Sequence, residues 1–143
     1  MSMNYTVCDN ELKVCDFLRL FSSVGWGELD EDMAKTALEN SWATFHVEYK
    51  GKVIAMGRLL GDGAMSFFLK DFVVLPEFQG QGIGRLLLNH IEMFIAIQLK
   101  PGWSGYLQLV SSKDKDAFYS KMGYRYHPNQ QSGPGMSKWI DAR

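Results

Sequence analysis

The sequence contains little cysteine, no excess of basic residues and no long hydrophobic run. Its 143 residues include two cysteines, 15 lysines and arginines, and 16 acids, for a formal net charge of −1. This balance gives no reason to expect nucleic-acid binding, which usually requires a basic surface. Cys8 and Cys15 match neither the spacing of a CxxC site nor a disulfide framework. We therefore expect two small buried side chains and no metal.

The same shortage of long apolar segments argues against a membrane protein. The longest apolar-rich stretch, residues 86–99, is interrupted by polar side chains and is too short to cross a bilayer. The first six residues, MSMNYT, lack the basic stretch and apolar block of a signal peptide. These features predict a cytoplasmic protein with no membrane partner. The length predicts a single domain over residues 1–143.

The most informative segment is 71–88, where an apolar strand, a proline and a glycine-rich turn lead into an apolar helix. Glycines at 80, 82 and 84 remove the side chains that would keep a ligand away from the backbone. The first amides of a helix have no internal partner, and the helix dipole adds partial positive charge there. This pattern predicts an anion site, most often for phosphate.

Two common phosphate loops are excluded by spacing. A P-loop needs lysine and a hydroxyl residue after its last glycine, but Gly84 is followed by Arg85 and Leu86. A dinucleotide fingerprint needs a third glycine where Arg85 stands, and its glycines directly follow the strand. Here Pro76 to Gln79 intervene between the strand and the first glycine.

Residues 79–84 read QGQGIG, a Gln-x-x-Gly-x-Gly pattern that resembles the acyl-CoA-binding segment of the GNAT family of N-acetyltransferases. The resemblance implies that loop amides hold the pyrophosphate of acetyl-CoA, the cosubstrate, while the preceding strand bonds the pantetheine arm. The cofactor contacts that it implies are Phe72, Val73, Val74, Gln79, Gly80, Gln81, Gly82, Ile83, Gly84 and Arg85. The alternative is a glycine-rich turn that binds nothing.

A second segment, residues 117–124 (AFYSKMGY), resembles the family's Phe-Tyr-x-Lys-x-Gly-Phe motif, with Tyr124 in place of the last phenylalanine. The resemblance adds Phe118 and Tyr119 to the cofactor contacts and makes Tyr119 the general acid. A phenol with a pKa of about 10 is protonated at neutral pH, as that role requires. The alternative is a buried, hydrogen-bonded tyrosine. The resemblance also implies a cofactor contact at Ser112. Many family members carry asparagine at this position, so the sequence departs from the motif there.

Acetyl transfer from a thioester to an amine needs no covalent intermediate when both substrates are held together. The resemblance points to the backbone amide near Val74 for stabilising the negative oxygen. Asp71 is the candidate base, with an ordinary salt bridge as an equal alternative. Glu28 and His46 are weaker candidates, since one lies in a loop and the other in a strand. No dedicated base is needed if water carries the proton.

The connection between the first two predicted helices bears on the acceptor. Trp26 and Glu28 lie there among further acids, a combination suited to a cationic amine. The acids equally suit the start of the second helix, which is the interpretation we favour. We expect a small-molecule primary amine as acceptor, with a protein or peptide amine as the alternative. A non-catalytic acyl-CoA sensor is the competing class, and homodimers are common in the family.

The apolar periodicity predicts the order β-α-α-β-β-β-α-β-α-β-β. The predicted strands are 5–8, 43–49, 53–60, 67–75, 106–110, 124–127 and 136–140. The first predicted helix begins at residue 11, with Asp9 or Asn10 as its cap. The other predicted helices are 30–39, 82–100 and 113–122. This order is also that of the GNAT fold. The resemblance therefore implies an α/β (α+β) protein with a mixed, mostly antiparallel central sheet flanked by helices.

Overall fold

The computed structural model describes residues 4–143, and the first three residues, part of the signal-peptide argument, lie outside them. The strands are β1 (Thr6–Asp9), β2 (Ala43–Tyr49), β3 (Lys52–Gly61), β4 (Ser66–Val74) and β5 (Tyr106–Leu109), and the helices are α1 (Val14–Ser23), α2 (Glu31–Glu39), α3 (Ile83–Gln98) and α4 (Asp116–Lys121). A short 3-10 turn, Pro76–Phe78, follows β4. The sheet order is β1-β2-β3-β4-β5, with β1 to β4 antiparallel and β5 parallel to β4. The predicted fold class is confirmed.

The chain forms two compact units. The first ends at Leu109 and contains the sheet with α1, α2 and α3, while the second is Val110–Arg143 and contains α4. The expectation of a single domain stays a prediction. No helix in the described part of the chain has the length and apolar character needed to cross a membrane.

Helix α3 is held on the sheet by aromatic and aliphatic side chains. The ring of Phe94 lies 5.1 Å from that of Phe45 on β2 and 5.7 Å from that of Trp42, whose ring lies 5.1 Å from Phe67 on β4. Such edge-on pairs add to the large apolar area that aromatic rings bury. The buried positions of the helix are Ile83, Leu87, Leu88, Ile91 and Ile95. This packing fixes the start of α3, and therefore the glycine loop, against the sheet.

The two strands expected at 124–127 and 136–140 are not formed, so that part of the prediction is wrong. Met136, Trp139 and Ile140 are 94, 93 and 79% exposed. Alternating apolar residues favour a strand only where a neighbouring strand accepts and donates the backbone hydrogen bonds. The predicted pattern lacks such a neighbour among the described strands.

The predicted cap of α1 is also wrong. The helix starts at Val14 with Lys13 at the N-cap, while Asp9 lies in β1. Asn10 instead accepts a hydrogen bond from the Thr44 amide at 3.0 Å. The cap of α2 is Asp30, which accepts from the Met33 amide at 2.8 Å. One of the acids in this connection therefore stabilises the helix start, as we favoured.

The two cysteines are less buried than expected. Cys8 is half-buried on β1, and Cys15 is exposed on α1. Cys15 lies outside the buried stripe of α1, which is formed by Phe17 and Leu20.

Candidate active site

Strand β4 is interrupted by a β-bulge at the start of the predicted acyl-CoA segment. Val73 pairs with Met56 and Lys70 with Arg58, so Asp71 and Phe72 together oppose the single residue Gly57. Asp71 has a φ of +51°, in the left-handed region that aspartate tolerates better than most residues. A bulge bends its strand and increases the local twist. The sequence pattern does not reveal this extra residue.

Gly57 creates the space that the bulge needs. A Cβ at this position would lie 3.3 Å from a ring carbon of Phe72 and 3.3 Å from a methyl carbon of Ile91 on α3. Glycine therefore allows the Phe72 ring to pack over β3 beside the helix.

Strand β5 ends just before the bulge in β4. Their pairing ends at Leu69 with Leu109, whereas β4 continues to Val74 with β3 as its only strand neighbour in the described chain. The Leu75 amide donates to the Ile54 carbonyl at 2.9 Å. Because hydrogen bonds alternate in antiparallel pairs, the amide of Val74 faces away from β3. It is directed to the edge of β4 that pairs with β5 as far as Leu69.

The glycine loop follows at the end of β4 and presents its backbone amides. Hydrogen bonding resumes with the Leu86 amide, which donates to the Gly82 carbonyl at 3.0 Å. Within residues 4–143, the amides from 80 to 85 have no hydrogen-bond partner. Gly80 and Gly82 have φ values of +76° and +84°, and a Cβ on either would meet nothing within 4 Å. The loop therefore combines unbonded donors with open space above them, as an anion site requires.

The predicted contact residues of this segment divide into backbone and side-chain roles. The side chains of Val73 and Ile83 are buried in the core, so they can meet a ligand only through their backbone. Gln79 donates from its side-chain amide to the Val74 carbonyl at 2.9 Å, which ties the loop to the strand end. Arg85 is exposed at the first turn of α3 and is free to add positive charge.

Asp71 forms the salt bridge that the sequence left as an alternative. Its carboxylate lies 2.5 Å from Nε of Arg58 on β3, and the two side chains are only 12 and 13% exposed. Arg58 also lies 3.5 Å from the Ser41 hydroxyl. Sequence reasoning missed Arg58, although it is the one charged residue in the apolar stretch 53–60. The salt bridge orients the carboxylate, and the role of Asp71 as base stays a prediction.

Replacing Asp71 with asparagine is expected to lower the free energy of unfolding by about 1–3 kcal/mol, because Arg58 keeps a buried charge without its counter-ion. Asparagine tolerates the left-handed backbone, so the change tests the charge rather than the bulge. Urea denaturation measures the loss. Asp114→Asn is the control, since Asp114 is an exposed aspartate with a similar left-handed φ of +64°. Unchanged stability of Asp71→Asn would show that the ion pair contributes nothing.

Tyr119 lies on α4, in the second unit, within a small aromatic group. Its ring lies 5.0 Å from Phe118 and 6.0 Å from Tyr124. Burial raises the pKa of Tyr119 to about 12. The phenol therefore stays protonated well beyond neutral pH, although it is a weaker acid than the sequence argument assumed. Ser112 precedes this helix, and its carbonyl accepts from the Lys115 amide at 3.0 Å.

The candidate acceptor residues lie in the connection between α1 and α2. Trp26 is 38% exposed, and its ring meets that of Phe21 on α1 edge-on at 5.2 Å. Glu28 is exposed in the same connection. Trp26 is therefore anchored to the helix while part of its ring faces solvent, which leaves a surface for a ligand.

The remaining titratable groups lie outside the predicted acyl-CoA segment and are not arranged as catalytic groups for it. His46 is buried on β2, with Nε2 3.0 Å from a carboxylate oxygen of Glu48. Burial raises the pKa of the Cys8 thiol, and the charges of Glu48, Glu11 and Asp9 add to that effect. A thiol held in its protonated form is not an activated nucleophile, which agrees with direct transfer.

Comparison with known proteins gives the family. Residues 41–126 match the profile of the acetyltransferase (GNAT) domain. The uncharacterized N-acetyltransferase ycf52 of Gracilaria tenuistipitata var. liui is 28% identical over 133 residues, covering 90% of this chain and 71% of that protein. Serotonin N-acetyltransferase 2, chloroplastic, of Oryza sativa subsp. japonica is 29% identical over 119 residues, covering 74% of this chain and 60% of that protein.

A solved structure agrees with these sequence matches. A GNAT-family acetyltransferase from Streptococcus pneumoniae TIGR4 has a TM-score of 0.77 and 29% identity, covering 98% of this chain and 100% of that one. The match of the domain profile spans more than half of the sequence. This chain belongs to the GNAT family of acetyltransferases.

Proposed function

We propose that this protein transfers an acetyl group from acetyl-CoA to a primary amine. The observation that carries the proposal is the run of amides from 80 to 85, which have no hydrogen-bond partner in the described chain and stand at the start of α3. A pyrophosphate is a doubly charged group with several acceptor oxygens, and such amides suit it. Arg85 adds a positive side chain next to them.

The strand before the loop suits the rest of the donor. Beyond Leu69, β4 has no strand neighbour on this edge in the described chain, so an extended amide-containing arm would pair there as an added strand does. Val74 lies at the end of this edge, with its amide directed to the edge and its carbonyl accepting from the side chain of Gln79. The pantetheine arm and the thioester carbonyl would therefore lie along β4, with the carbonyl oxygen at the Val74 amide.

The proposed reaction is direct. The unprotonated amine attacks the thioester carbonyl carbon, the C–N bond forms, and the Val74 amide stabilises the negative oxygen. The C–S bond then breaks, and the Tyr119 phenol protonates the departing thiolate. The nitrogen loses its extra proton to water, or to Asp71 through water. No side chain becomes acetylated in this scheme.

We propose a small-molecule amine as acceptor. The partly exposed ring of Trp26 and the carboxylate of Glu28 form a surface that attracts a cationic amine with an apolar body. The rice relative named above acts, by its name, on serotonin, an aromatic primary amine. An arylalkylamine is therefore the first acceptor class to test.

An amine panel tests this proposal. The protein is incubated with acetyl-CoA and an arylalkylamine, an alkyl diamine, an amino sugar or a lysine-containing peptide, and the amide product is measured by mass spectrometry. A thiol reagent alone is unsuitable, because exposed Cys15 also reacts with it. We expect the arylalkylamine to be acetylated, and Trp26→Ala to raise its KM about tenfold. Acetyl-CoA binding without any acetylated product would contradict catalysis and favour the sensor.

A further inference from the structure

Three side chains on one face of the β1–β2 edge form a group outside the candidate active site. Cys8 on β1 lies directly opposite His46 on β2, and Glu48 lies two residues farther along β2. Residues two apart on a strand share a face, and so do cross-strand partners. The potential ligand atoms of the three residues all lie within 4.8 Å of one another.

The buried histidine in this group has an unmet hydrogen-bonding atom. His46 is 2% exposed, and its Nε2 faces the Glu48 carboxylate at 3.0 Å. Its Nδ1 is the one buried side-chain nitrogen or oxygen, within the part of the chain that the structure describes, that has no partner. Nε2 is therefore the nitrogen that an ion between the three side chains would meet. Nδ1 then carries the ring proton, since a metal-bound imidazole is neutral.

Two of the three side chains lie at a solvent-open cavity, whose lining does not include Cys8. His46 and Glu48 line a half-open cavity of about 280 Å³, whose rim also carries Glu11, Asp16 and Lys52. The cavity has room for an entering ion and for a water molecule as an additional ligand. Its lining contains both acids and bases, so charge alone does not select a cation. The selection must come from the ligand atoms.

We propose that Cys8, His46 and Glu48 bind a divalent transition-metal ion, with Zn²⁺ the ion that the ligand set suits best. Sulfur, imidazole nitrogen and carboxylate oxygen are all zinc ligands, whereas Mg²⁺ and Ca²⁺ prefer oxygen alone. Three protein ligands and one water complete a tetrahedral site. Binding releases the thiol proton and links β1 to β2. The cysteine spacing missed the site because its ligands come from two paired strands.

Metal titration of the chelator-treated protein tests the proposal. With Co²⁺ as a probe, we expect one equivalent to bind and to give a thiolate-to-cobalt charge-transfer band. Zn²⁺ should displace the cobalt and raise the melting temperature, whereas Mg²⁺ should do neither. Cys8→Ser should abolish the band and weaken Zn²⁺ binding at least tenfold.

Two further variants decide the assignment. Cys15→Ser removes the other cysteine, which is exposed on α1, and should keep both the band and the affinity. Glu48→Gln should weaken Zn²⁺ binding while the half-exposed side chain leaves the fold intact. Equal Zn²⁺ affinity in Cys8→Ser and the unmodified protein, or a band that disappears with Cys15→Ser, would overturn the site. Every readout is independent of acetyl transfer.

Discussion

Replacing Gly82 with alanine is expected to weaken acetyl-CoA binding at least about tenfold, equivalent to ~1.4 kcal/mol. The added methyl group points into open space in the free protein, since nothing lies within 4 Å of it. In the proposed complex that space is occupied by the pyrophosphate. The variant therefore tests whether the open space over the loop is where the donor binds.

The same substitution also strains the backbone. Gly82 has a φ of +84°, and a left-handed conformation costs an L-residue about 1–2 kcal/mol. Gly102, in the turn after α3, offers a matched control because its φ is +87° and its added Cβ would also meet nothing within 4 Å. Gly102→Ala should lose comparable stability and keep acetyl-CoA affinity within about threefold of the unmodified protein, well inside one factor of ten. Equal affinities of the two variants would show that the loop does not hold the donor.

Replacing Tyr119 with phenylalanine is expected to lower kcat about 10²–10⁴-fold while the KM for acetyl-CoA changes little. The substitution removes only the hydroxyl that protonates the thiolate in the proposed reaction. Tyr124→Phe is the matched control, since it removes a hydroxyl from the neighbouring ring and restores the residue of the family motif. Its kcat should stay within about threefold of the unmodified enzyme, far from the loss that follows removal of a general acid.

The pH dependence gives a second test of Tyr119. Because burial raises its pKa to about 12, the folded enzyme keeps this phenol protonated where an ordinary tyrosine, with a pKa of 10.0, is half ionised. The raised pKa therefore contributes stability to the folded state. This contribution is fully present below pH 10 and is lost as the pH rises towards 12. Ionisation of Tyr119 should therefore not lower the steady-state rate up to pH 10. Any decline in that range should also be present in Tyr119→Phe. A decline with a pKa below 10 that disappears in this variant would contradict the raised pKa, while it would still identify Tyr119 as a group whose protonation controls the rate.

The sequence predicted the parts of the site that depend on local chemistry. Gly80 and Gly82 adopt the left-handed conformations that glycine permits, and α3 begins immediately after them. The strand β2 has the predicted bounds, because alternating apolar residues and the turn at Lys50 and Gly51 define it. At these positions the residue types in the local sequence predict the backbone conformation that the structure has.

The parts that the sequence did not predict depend on partners distant in the chain. The bulge at Asp71 arises from pairing with β3, and the ion pair needs Arg58 from that strand. Residues 136–140 show the converse, since an alternating pattern without a neighbouring strand stays irregular and exposed. Cys8 and His46 likewise meet through strand register rather than through spacing.

Calorimetric titration of the unmodified protein with acetyl-CoA shows whether the chain binds the donor at all. We expect saturable one-to-one binding with a Kd between about 1 μM and 1 mM, the range typical of enzyme substrates. Coenzyme A should compete, because it carries the same pyrophosphate and pantetheine. The absence of any binding heat or competition over this range would contradict the claim that the glycine loop holds acetyl-CoA.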